Sequence, residues 1–141
     1  MKQLPDKVLD TIWEIGDRYS NIIDWDQLCQ EYQLPEDFIR VFLDNLKPAR
    51  VIEYQQLSEQ FIEEQGLLRY RRIAVCQKLS EQFIEKHQNE LDWGYLSECQ
   101  DLSPEFVVKH IDKITSRILG NPCYEKFPDS IKLLFEQKFN K

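Results

Sequence analysis

The chain has little of what builds phosphate-binding loops, membrane spans or secretory leaders. It contains four glycines in 141 residues, so few glycine-dependent tight turns or phosphate loops can form. No apolar run approaches the roughly 18 residues of a membrane-spanning helix, and residues 1–6 lack the apolar stretch of a signal peptide. These absences predict a soluble, cytoplasmic protein that does not bind membranes.

Motifs of common enzyme families are also missing. The glycine-rich dinucleotide and phosphate loops, the HExxH zinc motif and the GxSxG nucleophile motif do not occur. The chain has 25 acidic residues, and adjacent pairs such as Glu36-Asp37 and Glu63-Glu64 are expected by chance in so acidic a sequence. We therefore predict a protein that is not an enzyme and that uses no cofactor.

The chain does contain a repeated six-residue phrase. LSEQFI stands at 57–62 and again at 79–84, LSPEFV at 102–107, and the looser LPEDFI at 34–39. The leucines that open these copies follow one another at spacings of 23, 22 and 23 residues; they are Leu34, Leu57, Leu79 and Leu102. Each is followed four residues later by phenylalanine and then by isoleucine or valine. A fixed period in this range is typical of repeat arrays built from one small supersecondary element.

Each repeat is predicted to form two short helices. Ser58, Ser80 and Ser103 are good N-cap residues for the first helix, which we expect to run from Glu81 to about Asn89 in the third copy. Asp92 is expected to cap a second, shorter helix through Trp93, Leu96 and Cys99. The best strand candidate, residues 51–54, falls in a helical position of the repeat.

These patterns predict an all-α fold in which short helix pairs stack as an irregular helical repeat array, because no single unit carries enough apolar surface to fold alone. We expect one domain over residues 1–141. It would comprise a divergent N-terminal unit at 1–33, four repeats at 34–126 and a C-terminal cap at 127–141.

The cysteines and histidines recur at repeat positions. Cys76 and Cys99 each precede an opening leucine by three residues, and Tyr54 stands at the same position of another copy. The other two cysteines are Cys29 and Cys123, and no two of the four form a CxxC pair. His87 and His110 both lie eight residues after an opening leucine. Side-chain packing is therefore favoured over metal binding, and a zinc site of cysteine and histidine is the alternative.

Residues 24–47 admit a second interpretation, a helix-turn-helix with its turn at residues 33–35. In a DNA-binding protein the second helix presents basic and amide side chains to the major groove. Here it would offer Glu36, Asp37, Arg40 and Asp44, and the chain carries a formal net charge of −7. Phosphate binding needs a basic face, so we expect no direct binding to duplex nucleic acid. A helix-turn-helix regulator of transcription remains an alternative.

One basic segment interrupts the acidic array. Arg69, Tyr70, Arg71 and Arg72 stand where the next copy has Asp92-Trp93-Gly94-Tyr95. One interpretation is a solvated turn that pairs with nearby glutamates such as Glu63 and Glu64. The other is a contact patch for a partner, since arginine and tyrosine are favoured at interface hot spots. The candidate partner-binding set joins this segment to acidic residues of the neighbouring helices: Glu59, Glu63, Glu64, Glu81 and Glu85.

The pattern L-S-E-x-F-I followed by L-D-W-x-x-L-S resembles short tandem repeats found in proteins of bacteriophages and large DNA viruses. The match covers about residues 34–126 and is closest from Leu79 to Gln100. The resemblance implies an α-helical repeat fold and a phage or viral origin, with the host cytoplasm as the place of action. It implies no catalytic residues.

A small acidic phage protein is expected to act by occupying a host protein or protein complex. Acidic chains can imitate nucleic acid by presenting carboxylates to a basic groove. The sharper hypothesis is therefore an inhibitor of a host nucleic-acid-binding defence complex, in the manner of anti-CRISPR proteins. A generic helical scaffold is the other possibility.

Overall fold

The computed structural model describes residues 1–140, and over these residues the predicted all-α fold is confirmed. The strands are two residues each: β1 (Lys2–Gln3) pairs in parallel with β2 (Tyr32–Gln33). Among the described residues, no helix combines the length and the apolar character that crossing a membrane requires. The chain divides after Arg72 into two compact units, a boundary inside the predicted repeat region 34–126. The last residue of the predicted cap, Lys141, lies outside the described residues.

The first unit contains six α-helices within residues 1–72. They are α1 (Asp6–Ile15), α2 (Trp25–Glu31), α3 (Glu36–Val41), α4 (Leu43–Leu46), α5 (Pro48–Tyr54) and α6 (Glu59–Glu64). A 3₁₀ turn at Leu67–Arg69 follows α6. The strand candidate at residues 51–54 is therefore part of a helix. Its adjacent Val51 and Ile52 are both buried, which a half-exposed strand of alternating faces does not allow.

The second unit, within residues 73–140, repeats the same kind of helix. Its elements are α7 (Ile73–Cys76), α8 (Glu81–Lys86), α9 (Trp93–Cys99), α10 (Pro104–Lys109), 3₁₀ turns at Ser116–Gly120 and Pro122–Lys126, and α11 (Asp129–Phe139). The expectation that the first helix runs to Asn89 and that the second is shorter is wrong, because α8 has 6 residues and α9 has 7.

The early end of α8 has a local cause. His87 leaves helical geometry at φ −110° and ψ 26°, and the next residues form a turn. The indole of Trp93 donates to the carbonyl oxygen of Gln88 at 2.8 Å, so this carbonyl is satisfied from outside the helix. Trp25 donates to the carbonyl oxygen of Ser20 at 2.9 Å in the same way.

The predicted N-caps are confirmed. The hydroxyl oxygens of Ser58, Ser80 and Ser103 each accept a hydrogen bond from the backbone amide three residues on, at 3.1, 3.1 and 3.2 Å. Asp92 accepts from the amide of Tyr95 at 3.2 Å. Each bond satisfies one of the amides that the first turn of a helix leaves without an intrahelical partner.

The repeated phenylalanines lie in the core of each unit. Phe38 and Phe61 are buried in the first unit, and Phe83 and Phe106 in the second. The residues that follow them, isoleucine or valine, are also buried: Ile39, Ile62, Ile84 and Val107.

The expectation that the cysteines serve side-chain packing holds for Cys29 and Cys123, which are buried, but not for Cys99, which is exposed.

A buried amide side chain joins neighbouring repeats, a role that the repeated phrase did not predict. Gln100 Nε2 donates to the carbonyl oxygens of Ala74 and Gln77, each at 2.7 Å, while its Oε1 accepts from the amide of Leu79 at 3.0 Å. Gln55 makes the same three bonds to the carbonyls of Cys29 and Tyr32 and the amide of Leu34. The sequence does contain a sign of this role, because a glutamine stands two residues before three of the opening leucines, at positions 55, 77 and 100.

Candidate functional site

The basic segment Arg69–Arg72 lies at the end of the first unit. Gly66, at φ 64°, turns the chain away from α6 in the left-handed region that glycine adopts at little cost. Leu67 is buried and anchors the 3₁₀ turn. The three arginine side chains are exposed and Tyr70 is half-buried, so the segment presents its basic groups to solvent.

Arg69 and Tyr70 hold each other in place. The guanidinium carbon of Arg69 lies 5.1 Å from the centroid of the Tyr70 ring, and Nη2 donates to the phenolic oxygen at 3.2 Å. A guanidinium over an aromatic ring is attracted by the electrons of the ring face. The pair therefore forms a small flat surface that costs little side-chain entropy to present.

The other two arginines differ in their partners. Arg72 Nη2 lies 3.7 Å from Glu53 Oε1, and Arg50 lies 3.7 Å from the other oxygen of the same carboxylate. Arg71 has no hydrogen-bond or ion-pair partner among residues 1–140. Its five N–H donors are free to bind a group from another molecule.

The predicted acidic residues of the first unit lie on α6. Glu64 Oε2 accepts from Arg40 Nη2 at 3.1 Å, so this carboxylate is engaged by α3. The hydrogen bonds from Arg40 to Asp37 and to Glu64 raise the pKa of the Arg40 guanidinium above its ordinary value. Glu59 is half-buried in the first turn of α6 and Glu63 is exposed.

The acidic residues of the second unit are also engaged internally. Glu81 accepts from the amide of Ser103 at 2.8 Å and from its hydroxyl at 2.9 Å, and Glu36 holds Ser58 in the same way in the first unit. Glu85 pairs with Lys109, whose hydrogen bond holds the pKa of the Glu85 carboxyl below its ordinary 4.5.

This internal use of the carboxylates was not predicted from the sequence. The signal was present, because the partners sit at a nearly constant separation: 24 residues for Arg40–Glu64 and for Glu85–Lys109, and 22 for both serine contacts. Three members of the predicted acidic set, Glu64, Glu81 and Glu85, therefore bind groups of their own unit.

The helix-turn-helix segment has the predicted helix pair but a neutralised second helix. α3 ends at Val41, and Phe42 departs from helical geometry at φ −107° before α4 begins. The one basic side chain of α3, Arg40, lies 2.7 Å from Asp37 as well as 3.1 Å from Glu64. Little positive charge is left on this helix for a phosphate.

The histidines contact aromatic rings. His87 lies 4.6 Å from Phe83 between ring centroids, and the buried His110 lies 4.5 Å from Phe106 and 5.4 Å from Trp93. Over residues 1–140, no group of three or more histidine, cysteine, aspartate or glutamate side chains is arranged to hold a metal ion.

Comparisons with known proteins add no relative: no protein-family model matches the chain, and neither a curated protein nor a solved structure does.

Proposed function

We propose that this is a non-enzymatic protein that acts by binding another protein through its basic segment, Arg69–Arg72. The observation that carries the proposal is the exposed Arg71, which has no hydrogen-bond or ion-pair partner within residues 1–140 and follows the fixed Arg69–Tyr70 pair in the chain. Arginine and tyrosine supply much of the binding energy at protein interfaces. An arginine that pairs with nothing in its own chain loses no internal bond when a partner carboxylate binds it.

The partner that we propose is a host protein or protein complex with an acidic contact surface. A defence complex that binds nucleic acid is the sharper form of this proposal, and it rests on the resemblance to phage and viral repeats. The basic segment is favoured over the carboxylates as the contact, because Glu64, Glu81 and Glu85 already bind groups of their own unit. Those contacts fix the three carboxylates and use part of their acceptor capacity, so less of it is left for a basic groove.

The experiment is an affinity capture from bacterial lysate with three forms of the protein, read by quantitative mass spectrometry. Arg71→Glu should reduce recovery of the specific partner at least tenfold, which corresponds to about 1.4 kcal/mol of binding free energy. Lys78→Glu is the matched control, because Lys78 is also exposed and the change in charge is the same. Equal recovery with both variants would remove Arg71 from the interface.

A second arm separates the two modes of binding. Glu63→Lys reverses an exposed carboxylate of α6. If the protein contacts its partner as a nucleic-acid mimic, this change should weaken binding more than Arg71→Glu does. The interaction should then also fall steeply with salt.

A further inference from the structure

We propose that the first unit carries a second interaction surface, the Trp13–Val41 surface, which binds a basic amphipathic helix of another protein. It is formed by Trp13 of α1 and Val41 of α3. This surface is separate in sequence from the basic segment, and the proposal does not depend on the function proposed above.

The apolar side of α1 is only partly covered. α1 is amphipathic, yet none of its residues is buried, whereas α3, α5 and α6 each bury two. Val8 is 43% exposed and Trp13 is 40% exposed. A helix of a globular protein normally covers its apolar stripe against a neighbour, so α1 has apolar surface left for another molecule.

Trp13 differs from the other two tryptophans. Trp25 and Trp93 each donate the indole N–H to a backbone carbonyl, whereas the Trp13 indole N–H has no acceptor among residues 1–140. Its ring packs edge-on against Phe38 and Phe42, with centroids 5.5 and 6.3 Å apart. A half-exposed indole that is fixed by packing and has a free donor is typical of an interface anchor.

Val41 breaks the pattern of the repeat at the surface. It stands seven residues after its opening leucine, where the next three copies carry charged residues: Glu64, Lys86 and Lys109. Val41 is 53% exposed and lies directly before Phe42, one of the two rings that Trp13 contacts. An exposed valine therefore replaces a charge on the chain segment whose buried rings, Phe38 and Phe42, contact the exposed indole.

The charges around this surface determine the kind of partner. Asp10, Glu14 and Asp17 flank Trp13 in sequence, are exposed, and have no hydrogen-bond or ion-pair partner within the described chain. Asp37, on the same helix as Val41, has an 82% exposed side chain but pairs with Arg40 at 2.7 Å, so the unpaired acidic charge comes from α1 and the turn after it. Exposed apolar side chains beside unpaired carboxylates match a helix with apolar residues on one face and lysine or arginine beside them. A second copy of this chain would bring like charges together, so self-association is disfavoured.

The probe is a synthetic peptide of about 18 lysines and leucines, long enough to form a helix, with leucines at helical spacing. Binding is measured by anisotropy of a fluorescent label. Val41→Glu should weaken it at least tenfold and Asp10→Lys at least threefold. Val108→Glu is the matched control because Val108 is a 40% exposed valine of the second unit, and it should change binding less than twofold. Arg71→Glu should also have little effect.

Four results would overturn the proposal. The first is that the helical peptide does not bind. The second is that a peptide of the same composition in scrambled order binds equally well. The third is that Val41→Glu and Val108→Glu weaken binding of the helical peptide by the same factor. The fourth is wild-type self-association in sedimentation velocity that Val41→Glu abolishes, which would assign the surface to a second copy of the chain. Circular dichroism of each variant establishes that it is folded before binding is compared.

Discussion

At the scale of single residues, the buried glutamines determine how neighbouring repeats are joined. Gln100 satisfies two carbonyl oxygens and one amide of the segment before it while being only 4% exposed. Buried polar groups that lose their partner keep the full cost of leaving water. The glutamine is therefore as important to stability as an apolar core residue, although its side chain is polar.

Replacing Gln100 by leucine should destabilise the protein by more than about 3 kcal/mol, because three backbone groups lose their partners at about 1–3 kcal/mol each. Urea unfolding followed by circular dichroism measures the change. Gln82→Leu is the control, since Gln82 is exposed on α8, and it should change the free energy of unfolding by less than about 0.5 kcal/mol. A loss below about 1 kcal/mol for Gln100→Leu would mean that water can replace the amide.

Cys29 should make the protein less stable in alkali. Burial raises the pKa of this thiol from 9.0 to about 11, against the opposing effect of its hydrogen bond from Gln55. Because folding raises the pKa, the folded protein holds the thiol proton more tightly than the unfolded chain does. This contribution to the free energy of unfolding is complete below pH 9.0 and is lost as the pH rises towards about 11. Between about pH 8 and pH 10.5, the free energy of unfolding of Cys29→Ala should fall less than that of the wild type.

The matched control for this comparison is Cys76→Ala, which removes a half-buried thiol. The quantity to compare is the slope of stability against pH, because either substitution also removes packing atoms. Parallel slopes for the wild type and Cys29→Ala would contradict the assignment of the alkaline loss to Cys29.

At the scale of elements, one repeat is fastened to the next within each unit through its first helical turn. Ser103 caps α10 with its hydroxyl and also holds both oxygens of Glu81 on α8. The same serine therefore caps α10 and ties its start to α8, the first helix of the preceding repeat. The exposed pair Glu85–Lys109 lies further along α8 and α10, and Arg40–Glu64 joins α3 and α6 of the first unit. Surface ion pairs of this kind contribute about 0–1 kcal/mol.

Ser103→Ala should cost about 1–2 kcal/mol, at the upper end for a helix N-cap, because it removes the cap and one bond to Glu81. Denaturant unfolding gives the value. Ser130→Ala is the control, since Ser130 lies exposed on α11, and it should be nearly neutral. If Glu81→Gln lowers stability by the same amount in the Ser103→Ala background as in the wild type, the two residues are not coupled.

Element boundaries follow from the sequence only where a local group defines them. Helix starts are predictable because the cap and the amide it binds are three residues apart. The end of α8 was not predicted, since no glycine or proline marks it and the carbonyl of Gln88 is satisfied by Trp93, five residues away. A contact of this kind depends on how the following turn folds.

At the scale of the whole molecule, charge disfavours nucleic acid as a direct ligand. The formal net charge is −7, and Arg40 of the helix-turn-helix segment is paired with Asp37 and Glu64. We expect no binding to duplex DNA tighter than about 100 µM at physiological salt, the weak end of non-specific binding. Electrophoretic mobility shift and fluorescence anisotropy with a mixed-sequence duplex check this. Micromolar binding that Arg40→Ala abolishes would support the helix-turn-helix alternative instead.

The all-α class, the helix starts and the buried phenylalanines could all be predicted from the amino-acid sequence, because they depend on residue types at fixed short spacings. Which charges remain available for a partner depends instead on tertiary contacts. Glu64, Glu81 and Arg71 look alike in the sequence as charged residues of a polar surface, yet the first two bind Arg40 and Ser103, which lie 24 and 22 residues away, and Arg71 binds nothing in the described chain. Stacking brings side chains of successive repeats within hydrogen-bond distance, so a charge is free to bind a partner only where the neighbouring repeat lacks a matching group.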